Sequence, residues 1–83
     1  MFFVYILFSE KCNRYYVGYS QNPEKRLEER HNKGFVKATH NCMPYVLCSK
    51  KQFKTEVEAI AEKRRIKMQK SRKIIEEMIK GNW

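Results

Sequence analysis

Arg26 and Arg30 stand four residues apart, a spacing that puts two guanidinium groups on one face of a helix. Two tyrosines upstream, Tyr5 and Tyr16, each sit among strand-forming residues. Guanidinium groups bind phosphates and carboxylates, and phenols donate to and accept from oxygen. The remainder of the chain adds charge of the same sign: 18 Lys and Arg stand against 9 Asp and Glu, giving net +9 in 83 residues. A polyanion is the natural partner on electrostatic grounds. The plainer reading is a solvated basic surface, and arginines at this spacing are, taken alone, the ordinary exposed face of a helix.

Other chemistries find less support. Cys12, Cys42 and Cys48 are an odd number without a CxxC pair, which argues against a disulfide framework and a zinc ribbon. They point to a reducing, cytoplasmic setting. His40 and Cys42, with His31 and Cys12 distant in sequence, match no standard zinc spacing. A Cys42 nucleophile lacks a third orienting group, and Cys48 reads as a small buried strand residue. The longest apolar run, Phe2 to Phe8, is too short to span a bilayer and has no basic segment before it or cleavage site after it. The expectation is one soluble domain, residues 1–83, that is not exported.

The elements that must position the tyrosines and arginines can be read in order. Phe2 to Phe8 suits a central strand covered on both faces. Ser9 to Asn13 supplies turn residues, and Arg14 to Ser20 returns as a second strand. With a Ser9–Cys12 loop, Phe8 pairs with Asn13 and Tyr5 falls opposite Tyr16; one residue of slip would send the two phenols to opposite faces. The strands alone favour neither register.

Asn22-Pro23 starts a helix that runs to about His31 and closes near Asn32-Lys33-Gly34, with Leu27 its only large apolar residue. Phe35 to Met43 is a loop carrying Lys37, Thr39 and His40, and Pro44 to Cys48 reads as a third strand. Thr55-Glu56-Val57-Glu58 is a capping box opening a helix to about Met68, whose apolar stripe is Val57, Ile60, Ala61 and Met68, widened by Ala59 and Ile66. Ser71 caps a third helix, with Ile74, Ile75, Met78 and Ile79 as its core face and Gly81 as its stop. The predicted class is α+β: a three-stranded, mainly antiparallel sheet flanked by three helices, in the order β-β-α-β-α-α.

Phe3-Val4-Tyr5, ten residues, then Tyr16-Val17-Gly18 and Pro23-Glu24-Lys25-Arg26-Leu27 resemble the GIY-YIG nuclease family, in particular its short single-domain members. The likeness continues through Lys37-Ala38-Thr39, Pro44-Tyr45, Phe53, Glu58-Ala59-Ile60, Ile66-Lys67 and Lys70-Ser71-Arg72-Lys73. The resemblance implies hydrolysis of a DNA phosphodiester with one divalent cation, Mg²⁺ or Mn²⁺, and DNA repair as a setting. It implies Tyr16 assisting proton removal from water, Tyr5 supporting it, and Arg26 holding the phosphate; Gly18 and Arg30 are taken into the candidate catalytic set beside them. Lys25, His31, Lys37 and Lys63 are the candidate nucleic-acid contacts. Both motif tyrosines then project into one site, which favours the four-residue loop. Gly18 is explained by a close approach of backbone or substrate, or else by a local bulge.

The chain departs from the family's pattern twice. Arg30 occupies the position four after the catalytic arginine where the family has histidine, with His31 one step on. Lys63 occupies the position of the metal-binding glutamate, and the adjacent Glu62 lies about 100° away around the helix. One alternative is a shifted metal on Glu62 with Glu58; the other is a module that binds nucleic acid through Lys63 without cleaving it. A third function, docking of an acidic protein partner on the basic surface, stays open.

Overall fold

A computed structural model describes all 83 residues. Three antiparallel strands, β1 (Phe2–Ser9), β2 (Arg14–Ser20) and β3 (Val46–Phe53), form a sheet in the order β2-β1-β3. The apolar run of β1 takes the centre because both its faces are covered, and Val4, Tyr5, Ile6 and Leu7 are all buried.

The alternation of side chains along β1 divides the interior in two. On one face Val4 and Ile6 join Val17, Ala59, Ile66 and Met78. On the other, Tyr5 and Leu7 join Cys42 and Tyr45, with Tyr16, Leu27 and Leu47 against them. The first face is covered by α2 (Glu56–Gln69) and α3 (Arg72–Glu77, continuing through a π turn at Met78–Asn82). The second lies under a short helix, α1 (Pro23–Arg26), a π turn at Leu27–His31, and the loop that follows.

The caps form where the sequence placed them. Asn22 Oδ1 accepts from the Lys25 amide at 3.1 Å with Pro23 at the first helical position, Thr55 caps α2, and Ser71 caps α3 after Lys70 turns left-handed at φ 49°. Each cap satisfies an amide that has no partner within the helix.

Four expectations need correction. The hairpin loop has four residues, but they are Glu10–Asn13, so Phe8 pairs with Tyr15, Leu7 with Tyr16 and Tyr5 with Gly18. The register is displaced by two residues, an even number that keeps both tyrosines on one face. The third strand begins at Val46 and runs on to Phe53, because the backbone of this edge strand pairs with β1 whatever its side chains, and Lys50, Lys51 and Gln52 stay exposed. A bulge at Cys48 offsets the pairing between Ile6–Ser49 and Leu7–Leu47.

On α2, Val57 and Met68 lie outside, 77% and 79% exposed, and the buried line is Ala59 and Ile66. The helix carries two possible apolar stripes. The sheet takes the one that Ala59 opens, where a methyl group lets the helix approach closely, and Glu62 and Lys63 become half-buried at its middle. Finally, Cys12 and Cys42 form a disulfide across 30 residues, leaving Cys48 free. The hairpin turn and the 40–42 turn meet there, and the Ser9 hydroxyl donates to the Cys42 carbonyl. The pairing removes the cysteine argument for a reducing setting. No helix is long and apolar enough to cross a membrane.

Candidate active site

Tyr5 and Tyr16 meet at the β2 side of the sheet, with ring centroids 6.5 Å apart. Gly18, directly across from Tyr5, makes the room. A Cβ at Gly18 would lie 2.7 Å from the Tyr5 hydroxyl oxygen and 2.9 Å from Tyr16 Cε2, closer than atoms of these types pack. The β1–β2 ladder is regular through this point, so close approach of the two phenols, not a bulge, requires the glycine.

The histidine offset is resolved by the π turn. In Leu27–His31 the amide of Asn32 bonds to Leu27, five residues back, so the turn takes in one residue more than an α-helix does. His31, five after Arg26, thereby reaches the place that the fourth residue would take in a regular helix. Its ring is fully buried, 5.9 Å from the Tyr5 ring and 5.0 Å from that of Tyr16. His31 is thus no surface contact to nucleic acid. Arg30, expected in the catalytic set, is exposed and lines the same groove as Arg26.

His31 links Tyr5 to the loop. Tyr5 Oη lies 2.9 Å from His31 Nε2, and His31 Nδ1 lies 3.0 Å from Thr39 Oγ1, whose hydroxyl donates to the Val36 carbonyl at 3.3 Å. With the threonine proton committed to that carbonyl, Nδ1–H donates to Thr39 and Nε2 accepts from the tyrosine. Burial, reinforced by Arg26, holds His31 down to a pKa of about 4, so the ring is neutral at pH 7 and Nε2 has its lone pair free. Burial pushes Tyr5 up to about 12, Tyr16 adds to the rise and Arg26 opposes it. Tyr16 is also raised by burial against the pull of Arg26. The arginine beside Tyr16 does not offset its desolvation.

Arg26 joins this interior to the surface. It acts on Tyr5, Tyr16 and His31, and it also lines an open groove of about 690 Å³ together with Lys25, Arg30, Asn22 and Tyr19. Glu29 and Glu56 stand on the same walls. Lys37 is exposed on the loop that carries Thr39.

Across β2, α2 presents lysines. The Lys67 ammonium sits 5.2 Å from the Tyr16 ring centroid and that of Lys63, one turn earlier, 5.2 Å from the Tyr19 ring. Glu62 points elsewhere: its carboxylate takes two bonds from Arg65, at 2.7 and 2.8 Å, and one from the Trp83 indole at 2.8 Å. Unlike the stretch after Arg26, α2 is a regular α-helix throughout, so nothing brings Glu62 round. Nor do any three His, Cys, Asp or Glu side chains cluster in a way that could hold a metal ion. The donor set present does not fit a divalent cation, and Glu62 as its ligand is withdrawn.

Lys67, Thr39, Asn32 and Tyr45 were not assigned to the site from the sequence. The Asn32 side chain both donates to the Tyr45 carbonyl and accepts from its amide, which fixes Tyr45 against Tyr5. The Tyr45 hydroxyl is buried without a partner. Thr39, Tyr45 and Lys67 carried a signal, since they lie in the Lys37-Ala38-Thr39, Pro44-Tyr45 and Ile66-Lys67 matches, whereas Asn32 carried none.

A thin antiparallel sheet with paired phenols, a buried histidine and an arginine at one edge defines an α+β protein with a tyrosine and arginine site. The GIY-YIG catalytic domain matches residues 1–75 of the chain, and the chain belongs to that family. No curated protein and no solved structure matches it. The family is one of nucleases that act on DNA, generally with a divalent metal.

Proposed function

We propose that this chain binds a DNA phosphodiester at Arg26 and Tyr16 and hydrolyses it. The observation that carries the reading is the unbroken hydrogen-bond path from Tyr5 through His31 to Thr39, set beside Tyr16 and Arg26. Such a path is not needed to bind a phosphate. It keeps the Tyr5 proton on its own oxygen, directed at Nε2, and leaves that oxygen's lone pairs for a water or for the Tyr16 hydroxyl.

In this reading Arg26 neutralises the phosphoryl oxygens and Tyr16, once ionised, takes the proton of the attacking water as the new oxygen–phosphorus bond forms. The ester oxygen leaves with the bonding pair and is protonated from solvent. Because burial raises Tyr16, the rate should climb with pH through the alkaline range. No step passes through a metal, since the α2 residues do not supply a site for one. The test is incubation of labelled single-stranded, nicked and branched DNA with the protein, in Mg²⁺, in Mn²⁺ and in chelator. Cleavage that disappears in Tyr16→Phe and Arg26→Ala supports the reading; no cleavage of any substrate at any pH from 6 to 10 overturns it.

One observation favours a second reading. Lys63 stands where the family's pattern has its glutamate, with Lys67 one turn on, which suits a module that holds the phosphate backbone without cutting it.

A further inference from the structure

Two cationic walls face each other across β2. On the α1 side Arg26, with Lys25 and Arg30, lines the groove; on the α2 side Lys63 and Lys67 lie against the rings of Tyr19 and Tyr16. β2 is an edge strand, so no further strand closes this side of the sheet. Tyr16 and Tyr19 flank this edge from opposite faces of the sheet, Tyr16 with the Tyr5 face and Tyr19 with the Val17 face. Two carboxylates line the groove with the cations: Glu56, which accepts from the Tyr19 hydroxyl at 3.3 Å, and Glu29.

We propose that Lys67 and Lys63 take over the charge-neutralising work of a divalent cation, so that a single DNA strand binds along β2 with its phosphates between these lysines and Arg26, and needs no metal to do so. The inference rests on the reading of Arg26 and Tyr16 as a phosphodiester site. Its physical basis is that two ammonium groups one helical turn apart carry the charge of one divalent ion, on the helix face where a carboxylate would have recruited it. Partial desolvation, and secondarily the charge of Lys63, lower the Lys67 ammonium from the ordinary lysine value. A phosphate arriving there would pair with both ammonium groups and offset their mutual repulsion. Glu62 cannot compete for the role while Arg65 and Trp83 occupy its oxygens.

The experiment is fluorescence anisotropy with a labelled single-stranded oligonucleotide, in EDTA and again with Mg²⁺ or Mn²⁺, together with Mn²⁺ titration calorimetry on the protein alone. Expected are a Kd that changes less than about twofold on adding metal, and no Mn²⁺ site. The double variant Lys63→Gln, Lys67→Gln should bind about tenfold or more weakly, with the log–log salt slope shallower by about 0.7 per lost phosphate contact, and the double arginine variant should restore binding. A tenfold gain in affinity with metal that Glu62→Gln abolishes, a stoichiometric Mn²⁺ site, or an unchanged Kd in the double glutamine variant would each overturn the proposal. Cleavage is scored separately: binding without cutting defeats the hydrolase reading and leaves this one standing. Metal-dependent binding does the reverse.

Discussion

Tyr5, on the central strand, and His31, on a π turn 26 residues later, are held 2.9 Å apart in the interior. The bond joins the most buried part of the sheet to the loop that carries Thr39, so the neutral state of His31 is tied to the stability of the fold as well as to the site.

Stability should therefore fall on acidification. His31 titrates near 4 in the folded chain and near 6.5 when unfolded, so between those values the unfolded state binds the proton and the folded state does not. The contribution is fully present above pH 6.5 and is lost as pH drops to 4, by up to about 3 kcal/mol. Urea midpoints at pH 7 and pH 4.5 measure it. A His31→Gln variant should be less stable at pH 7 and should show a smaller change between the two, and an equal change would refute the assignment.

Gly18→Ala should destabilise by about 1–3 kcal/mol, the usual cost of overpacking, since its methyl group would lie against the Tyr5 hydroxyl and the Tyr16 ring. Urea denaturation gives the size of the loss. DNA affinity should fall in the same variant even under conditions where it remains folded, because the two phenols must separate.

Glu62→Ala should cost about 1 kcal/mol through the lost indole bond and the lost Arg65 pair. Trp83 is the only tryptophan, so its emission reports the change directly and should shift to the red. DNA affinity should stay within about twofold of the parent. A large loss of binding would return Glu62 to the site.

Thiol counting of the native chain should find one free cysteine, Cys48, and three after reduction in denaturant. Closing 30 residues with a disulfide constrains the unfolded chain by about 3–4 kcal/mol, so Cys12→Ser should lower the urea midpoint clearly. Three accessible thiols before reduction would show that the link is absent in solution.

The sequence by itself determined the order of elements, the caps at Asn22, Thr55 and Ser71, the central place of β1, and the phenol and arginine set, because these rest on local chemistry and on side-chain alternation that a two-residue register shift leaves unchanged. Tertiary structure decided which α2 stripe is buried, that Cys12 meets Cys42, and that β3 extends to Phe53, since each depends on what lies opposite. It also gave opposite outcomes to two one-residue offsets that look alike in the sequence. At His31 a short helix under a loop could take in an extra residue as a π turn, and the imidazole reached Tyr5. At Glu62 a regular α-helix anchored by Ala59 and Ile66 could not, and lysines face the site instead.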